Sequence, residues 1–287
     1  GKLEPPDLVV RFGPPLTGKA LGQLLKQLPI PQIIFDETGE AREPHFHPSI
    51  FVQGGLSGWL EAFSRSRVRI SDPVWRDALL AGAEEMEAKL SRHLADSPLT
   101  EWVFHRELGE KIADDCLLFL GNSMPIRDFN SVFPAAKRGF SVSANRGLSG
   151  IDGLIATAGG LALGSGRETH AVLGDLSTLH DLPSFSLLSA LREKIRLTLW
   201  VINNGGGEIF RVVPTAKSAG KPEWFTTPQV FDLASLAKAF QIPFLRVVDR
   251  AQWRDLGNLS GPGVRIVEIL ADREKNLSVR QGFRIEE

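Results

Sequence analysis

His170-Ala171-Val172-Leu173, an apolar run entered from Thr169, stops at Gly174-Asp175-Leu176-Ser177. A helix-like segment follows from Leu182 to Arg192, and a second apolar run, Leu197 to Ile202, stops at Asn203-Asn204-Gly205-Gly206-Gly207. Strand, helix and strand within about thirty residues is the size of one βαβ unit. Its crossover makes the two strands parallel neighbours, so Asp175 and Asn204 are expected at the same carboxyl end, where open α/β sheets bind ligands. One carboxylate, one amide and nearby loop carbonyls are hard oxygen donors that suit magnesium, or manganese in its place, alongside phosphate oxygens. Glycines after Asn204 let the backbone approach a ligand closely, and the N–H groups that open the helix after Asp175 could hold a phosphate. The residues by themselves read as a site for a divalent ion and a diphosphate.

Gly-Asp after a strand is common, and Asn-Gly pairs are turn residues, so either half alone reads as ordinary loop chemistry. Both halves at matched strand ends favour the site. Gly174-Asp175 followed by Asn203-Asn204 resembles the thiamine-diphosphate signature. Gly121-Asn122-Ser123, Asn145-Arg146-Gly147, Ser149-Gly150-Ile151-Asp152-Gly153, Gly174-Asp175-Leu176-Ser177 and Asn203 through Phe210 together resemble the MenD family. These are the 2-succinyl-5-enolpyruvyl-6-hydroxy-3-cyclohexene-1-carboxylate synthases of menaquinone and phylloquinone biosynthesis. The resemblance runs along nearly the whole chain and is densest from Gly121 to Pro214.

A chain of 287 residues makes one large or two ordinary domains. It is 43% hydrophobic and 23% charged, which allows a substantial core in a soluble protein. A net charge of −1 gives no bulk drive toward nucleic acid or a membrane surface. No apolar run approaches the roughly 20 residues needed to span a bilayer. The single cysteine, Cys116, excludes an internal disulfide and reads as a buried small hydrophobe in a reducing compartment, cytoplasm or organelle stroma.

In chain order, strands are expected at Leu8–Phe12, Gln32–Phe35 and Ile50–Val52, with a helix from Gly18 to Leu28. So few strands make residues 1–70 the back part of a middle α/β domain, with residues 71–287 as the diphosphate-binding domain. Gly13-Pro14-Pro15-Leu16-Thr17-Gly18-Lys19-Ala20 nearly spells a P-loop. Ala20 lacks the hydroxyl for magnesium, and two prolines remove N–H donors, so nucleotide binding is rejected. His45 and His47 lack further ligands and read as a surface loop. Ser71-Asp72-Pro73 reads as the cap of a helix over Val74–Leu94 with a solvent-facing Glu84-Glu85-Glu87-Lys89 face. Further helices are expected at Thr100–Ile112, Leu154–Ala162 and Phe231–Phe240, and strands at Cys116–Leu120, Phe140–Val142, Phe244–Val248 and Val264–Leu270. Glu223–Phe231 reads as proline-broken loop, and the polar tail from Asp272 as loose at its end. This alternation implies a doubly wound parallel sheet with helices on both faces.

The strand ends after Leu120 and Val142 bring Arg127 and Arg146 to the same rim, where guanidinium groups suit carboxylates. The resemblance implies more. Such enzymes use thiamine diphosphate to decarboxylate 2-oxoglutarate and add the product carbanion to isochorismate. By that match Asp175, Asn204 and the Gly206 carbonyl hold the ion, and Gly174, Leu176 and Ser177 lie along the diphosphate. Ile151 bends the cofactor, and Gly150 faces its aminopyrimidine. Asn122, Ser123, Ile209 and Phe210 line the substrate pocket, and Lys19 helps hold a substrate carboxylate, although Ala20 departs from the family's arginine there. The activating glutamate of the family belongs to an N-terminal pyrimidine-binding domain, of the same or a second subunit in a homo-oligomer. No such domain precedes these motifs, so the chain is expected to be a C-terminal portion that binds cofactor weakly and does not turn over. An acetolactate-synthase-like carboligase or decarboxylase, and a non-catalytic scaffold of the same fold, are the competing readings.

Overall fold

The computed structural model describes residues 4–13, 19–28, 30–40, 49–66, 73–134, 139–146, 150–212 and 222–283. The chain divides into two compact units, Gly1–Ser91 and Arg92–Glu287. The division falls inside a long helix, α3 (Pro73–Ala95), whereas the sequence reading puts the boundary near Ser71. Ser71, Asp72, His45, His47 and Pro14–Gly18 lie outside the described residues.

The first unit holds a parallel three-stranded sheet, β1 (Val9–Phe12), β2 (Gln32–Asp36) and β3 (Ser49–Gln53), in the order β1-β2-β3. Helices α1 (Lys19–Gln27) and α2 (Leu56–Arg65) accompany it. Phe35 is its aromatic centre, with Phe12 and Trp59 rings each 5.2 Å away. Ile30, Ile34 and Phe35 are buried, while Ile50 is 63% and Leu60 52% exposed. Three strands bury little apolar surface, in keeping with a layer that is thin by itself.

The second unit is built on six parallel strands: β4 (Leu117–Leu120), β5 (Ser141–Ser143), β6 (Thr169–Gly174), β7 (Arg196–Asn203), β8 (Phe244–Val247) and β9 (Gly263–Leu270). Their order is β5-β4-β6-β7-β9-β8. The two central strands are buried along most of their length, as expected of a sheet covered on both faces. Along β7 the faces alternate. Leu197, Leu199 and Val201 join the core made with α6 (Leu154–Ser165) and α8 (Ser184–Leu191). Trp200 points the other way, toward Phe104 of α4 (Glu101–Glu107), with ring centroids 5.9 Å apart. The expected doubly wound α/β sheet is therefore present. The order reverses between β4 and β6, so those strand ends flank a topological switch point, the usual ligand crevice of such folds.

Several elements differ from the sequence reading. The helix expected to Ile112 tightens into a 3₁₀ turn at Leu108–Glu110. Asp175–His180 forms a separate short helix, α7, ahead of α8. Among the described residues the remaining helices are α5 (Met124–Val132), α9 (Ile209–Val212), α10 (Pro222–Thr226), α11 (Leu233–Ala239), α12 (Arg250–Asp255) and α13 (Arg273–Gly282). Of these, α10 lies in the stretch read as proline-broken loop, since proline is tolerated in a helix's first turn. The polar tail forms α13 as far as Gly282, its N-terminus capped by the Asp272 carboxylate accepting from Glu274 and Lys275 N–H, both at 2.9 Å, while the end read as loose, residues 284–287, lies outside the described residues.

Candidate ion and diphosphate site

The site begins with the pairing of β6 and β7, in which Gly174 lies opposite Ile202. Asp175 and Asn204 leave these strands at the same rim. Asp175 is 1% exposed, and its carboxylate binds backbone on both sides of the crevice. Oδ1 accepts from Leu176 N–H at 2.7 Å, and Oδ2 accepts from Gly205 and Gly206 N–H at 2.8 Å each. The Leu176 N–H, read from sequence as a phosphate donor, is thus engaged by Asp175. Burial pushes the Asp175 carboxyl up to about 6, against the three N–H groups that lower it.

The glycine loop after Asn204 is shaped by sterics. Gly206 has φ +145°, and a Cβ there would sit 2.5 Å from the Thr226 carbonyl oxygen. Only glycine satisfies both conditions. Gly207 N–H donates to that same carbonyl at 2.6 Å, which ties the loop to α10.

Asn204 donates Nδ2–H to Glu101 Oε1 at 2.5 Å. Its Oδ1 is buried without a partner. An unsatisfied buried oxygen costs about 1–3 kcal/mol, so it calls for a group to fill the place. Asp175 and Asn204 offer hard oxygens suited to magnesium or manganese, while the Gly206 carbonyl accepts from Glu208 N–H at 3.0 Å. Among the described residues no group of three or more His, Cys, Asp or Glu could hold a metal.

A cavity of about 280 Å³ opens over these groups. Gly174, Asp175, Leu176 and Ser177 line it from α7, and Asn204, Gly206, Ile209 and Phe210 from the β7–α9 side. Ser123 and Arg127 reach it from β4–α5, and Ile151 from the loop before α6. Ser123 holds φ +71° at the start of α5, an unusual conformation for a side-chain-bearing residue and a form of strain found at binding sites. Arg127 donates to the Ser123 carbonyl at 2.6 Å. Burial, then the Arg146 charge, lowers the Arg127 guanidinium's pKa from its ordinary value, and the two guanidinium groups bond adjacent residues, Ser123 and Asn122.

Asn122, Gly150 and Arg146 do not line the cavity; they form one chain of hydrogen bonds. Asn122 donates to the Gly150 carbonyl at 2.6 Å and accepts from Arg146 at 2.9 Å. Lys19 opens α1 in the other unit, and its side chain lies outside the described residues.

Glu101 was not singled out in the sequence. It is 2% exposed, lines the cavity and meets Asn204, Asn276 and Arg280. Burial, then the Asp128 charge, raises its carboxyl above the ordinary value, while Arg280 opposes them. Glu208 also lines the cavity and is likewise raised, chiefly by burial. An acid on the first turn of α4, just after a Thr100 cap, reads in sequence as a helix-dipole partner, so no signal marked Glu101.

No protein-family model matches the chain. Curated relatives do. The 2-succinyl-5-enolpyruvyl-6-hydroxy-3-cyclohexene-1-carboxylate synthase of Myxococcus xanthus is 33% identical over 285 residues, 96% of this chain and 47% of its own length. Its namesake from Bacillus velezensis is 34% identical over 280 residues, 93% of this chain and 47% of its own. That of Chlorobium phaeobacteroides is 32% identical over 282 residues, 95% and 48% respectively. The chain spans about half the length of the curated relatives it matches. Over that half, the chain is similar to the curated 2-succinyl-5-enolpyruvyl-6-hydroxy-3-cyclohexene-1-carboxylate synthases.

Proposed function

We propose that these residues form the diphosphate- and ion-binding part of a thiamine-diphosphate-dependent synthase of menaquinone or phylloquinone biosynthesis. The observation that carries the reading is the partnerless Asn204 oxygen beside a buried carboxylate at one strand-end rim. Asp175, Asn204 and the Gly206 carbonyl would hold magnesium or manganese, and Gly174, Leu176 and Ser177 would lie along the diphosphate. When bound, thiamine diphosphate supplies carbanion stabilisation beside a former carbonyl carbon. Ile151 would bend the cofactor, and the Gly150 backbone, fixed by Asn122, would face its aminopyrimidine.

Arg127 and Arg146 would bind the carboxylates of 2-oxoglutarate and isochorismate, with Ser123 and Phe210 shaping the pocket. The Arg146 charge acting on Arg127 supports the assignment, since an anion eases two like charges. The activating glutamate would come from a pyrimidine-binding domain of the same or a second subunit, in a homo-oligomer. Residues 1–70 would then be part of the middle domain and 71–287 the diphosphate-binding domain. Among the described residues no helix is long and apolar enough to cross a membrane.

The test is carbon dioxide release with 2-oxoglutarate and, separately, pyruvate, by this chain supplemented with the half of the Myxococcus xanthus relative that it does not span. Preference for 2-oxoglutarate, with a product formed only when isochorismate is added, supports the reading. Preference for pyruvate would point to an acetolactate-synthase-like carboligase. No cofactor-dependent turnover of either would point to a scaffold.

A further inference from the structure

An asparagine amide offers an oxygen on one edge and two N–H donors on the other, and only the oxygen edge can ligate a cation. Turning the amide over by half a rotation would aim N–H groups at the ion. Something must therefore fix its sense. At Asn204 that neighbour is Glu101, whose Oε1 lies 2.5 Å from Nδ2. Both Glu101 oxygens are met by donors, Oε1 by Asn204 and Asn276 and Oε2 by Arg280, so the carboxyl draws the Asn204 N–H edge and leaves Oδ1, buried and partnerless, for the cavity that Asn204 lines.

Glu101 is held in turn. Asn276 Nδ2 donates to its Oε1 at 3.3 Å, and the Arg280 guanidinium pairs with its Oε2. Arg280 also bridges to Asp128 at 2.5 Å. The Asn276 side-chain oxygen accepts from the Glu101 backbone N–H at 2.9 Å, which anchors the start of α4. Both Asn276 and Arg280 belong to α13. A third residue of that helix, Arg273, donates to the Gly205 carbonyl at 3.0 Å, on the same glycine loop.

We propose that Glu101, braced by Asn276 and Arg280 of α13, is the positioning residue that fixes the Asn204 amide with its oxygen toward the ion. This rests on the ion site proposed above. Glu101 touches neither ion nor substrate in this role; it acts through Asn204, as outer partners of metal ligands do.

The test is manganese binding to the full 287-residue chain with thiamine diphosphate in excess, read from loss of the free-manganese electron paramagnetic resonance signal. Four variants are compared with the unchanged chain: Asn204→Ala, Glu101→Gln, Asn204→Asp, and Glu101→Gln with Asn204→Asp. In Glu101→Gln the new amide presents either edge, so the sense of Asn204 is no longer set, and affinity should fall about tenfold. Asn204→Asp sets a second carboxylate against that of Glu101 and should weaken binding as well. In the double variant the glutamine N–H faces one aspartate oxygen and leaves the other for the ion, so affinity should return to within about threefold of the unchanged chain.

That reciprocal rescue is not expected of residues that serve folding alone. Additive losses in the double variant would overturn the proposal, and so would manganese binding by Glu101→Gln equal to the unchanged chain's while Asn204→Ala binds poorly. Equal binding by Asn204→Ala, or no manganese bound by the unchanged chain, would overturn the ion site itself.

Discussion

Asp175 is at once a ligand candidate and a titratable group, and the two roles can be separated by pH. Its folded carboxyl is raised to about 6 from an ordinary value of 3.8. A raised carboxyl favours the protonated fold, so its contribution to stability is complete below about 4 and lost as pH rises through about 6. The size is roughly 3 kcal/mol for a shift of about two units. Urea unfolding of the chain against Asp175→Asn should show that difference between pH 4 and 7. The comparison with the variant matters because the buried His105 and His170, both lowered to about 4 by burial, drive stability the other way. Ion binding needs the carboxylate, so manganese affinity should weaken below about pH 6. Ser123 offers a second residue-scale measurement. Its φ of +71° costs about 1–3 kcal/mol, so Ser123→Gly should raise the urea midpoint by roughly 1 kcal/mol equivalent while lowering the activity proposed above. Midpoint and activity falling together would contradict the strain assignment. At this scale the placement of Asp175 and Asn204 at one rim was legible in the sequence because two ordinary turn stretches end strands one crossover apart, while Gly206 entered only through the resemblance. Glu101 was not, because its work depends on α13, far away in the chain.

The elements that hold the site are the glycine loop and α13. Gly206→Ala would push a Cβ against the Thr226 carbonyl at a backbone angle that disfavours alanine. It should cost about 2 kcal/mol and weaken ion binding, as chemical denaturation and manganese titration would show. In α13, Arg280→Met would leave Glu101 and Asp128, 2% and 1% exposed, without their counter-charge. Removing one partner of a buried charge network costs about 3–5 kcal/mol, so the urea midpoint should drop sharply. A loss below about 1 kcal/mol would show that α13 does not brace α4. This helix escaped the sequence reading for a physical reason. Its buried residue is Asn276 and its anchoring group is Arg280, so its inward face is polar and carries no apolar period. β6 and β7 were legible because both faces of those strands are buried and their apolar runs are continuous.

For the molecule as a whole, the alternation of strands and helices sufficed to name a doubly wound sheet, and one crossover sufficed to place Asp175 beside Asn204. The strand order beyond that pair, and the division of the chain within α3, depend on packing between distant segments and left no local mark. The family of synthases that the chain matches is about twice its length, and the proposed chemistry needs a glutamate from another domain. The 287-residue chain alone should therefore release no carbon dioxide from 2-oxoglutarate, and full activity from it would contradict that expectation. Most direct for the central claim is calorimetric titration of thiamine diphosphate into this chain and its Asp175→Ala variant, with and without magnesium. Binding heat that requires magnesium and disappears in the variant is the expected result; equal binding by chain and variant would contradict the site.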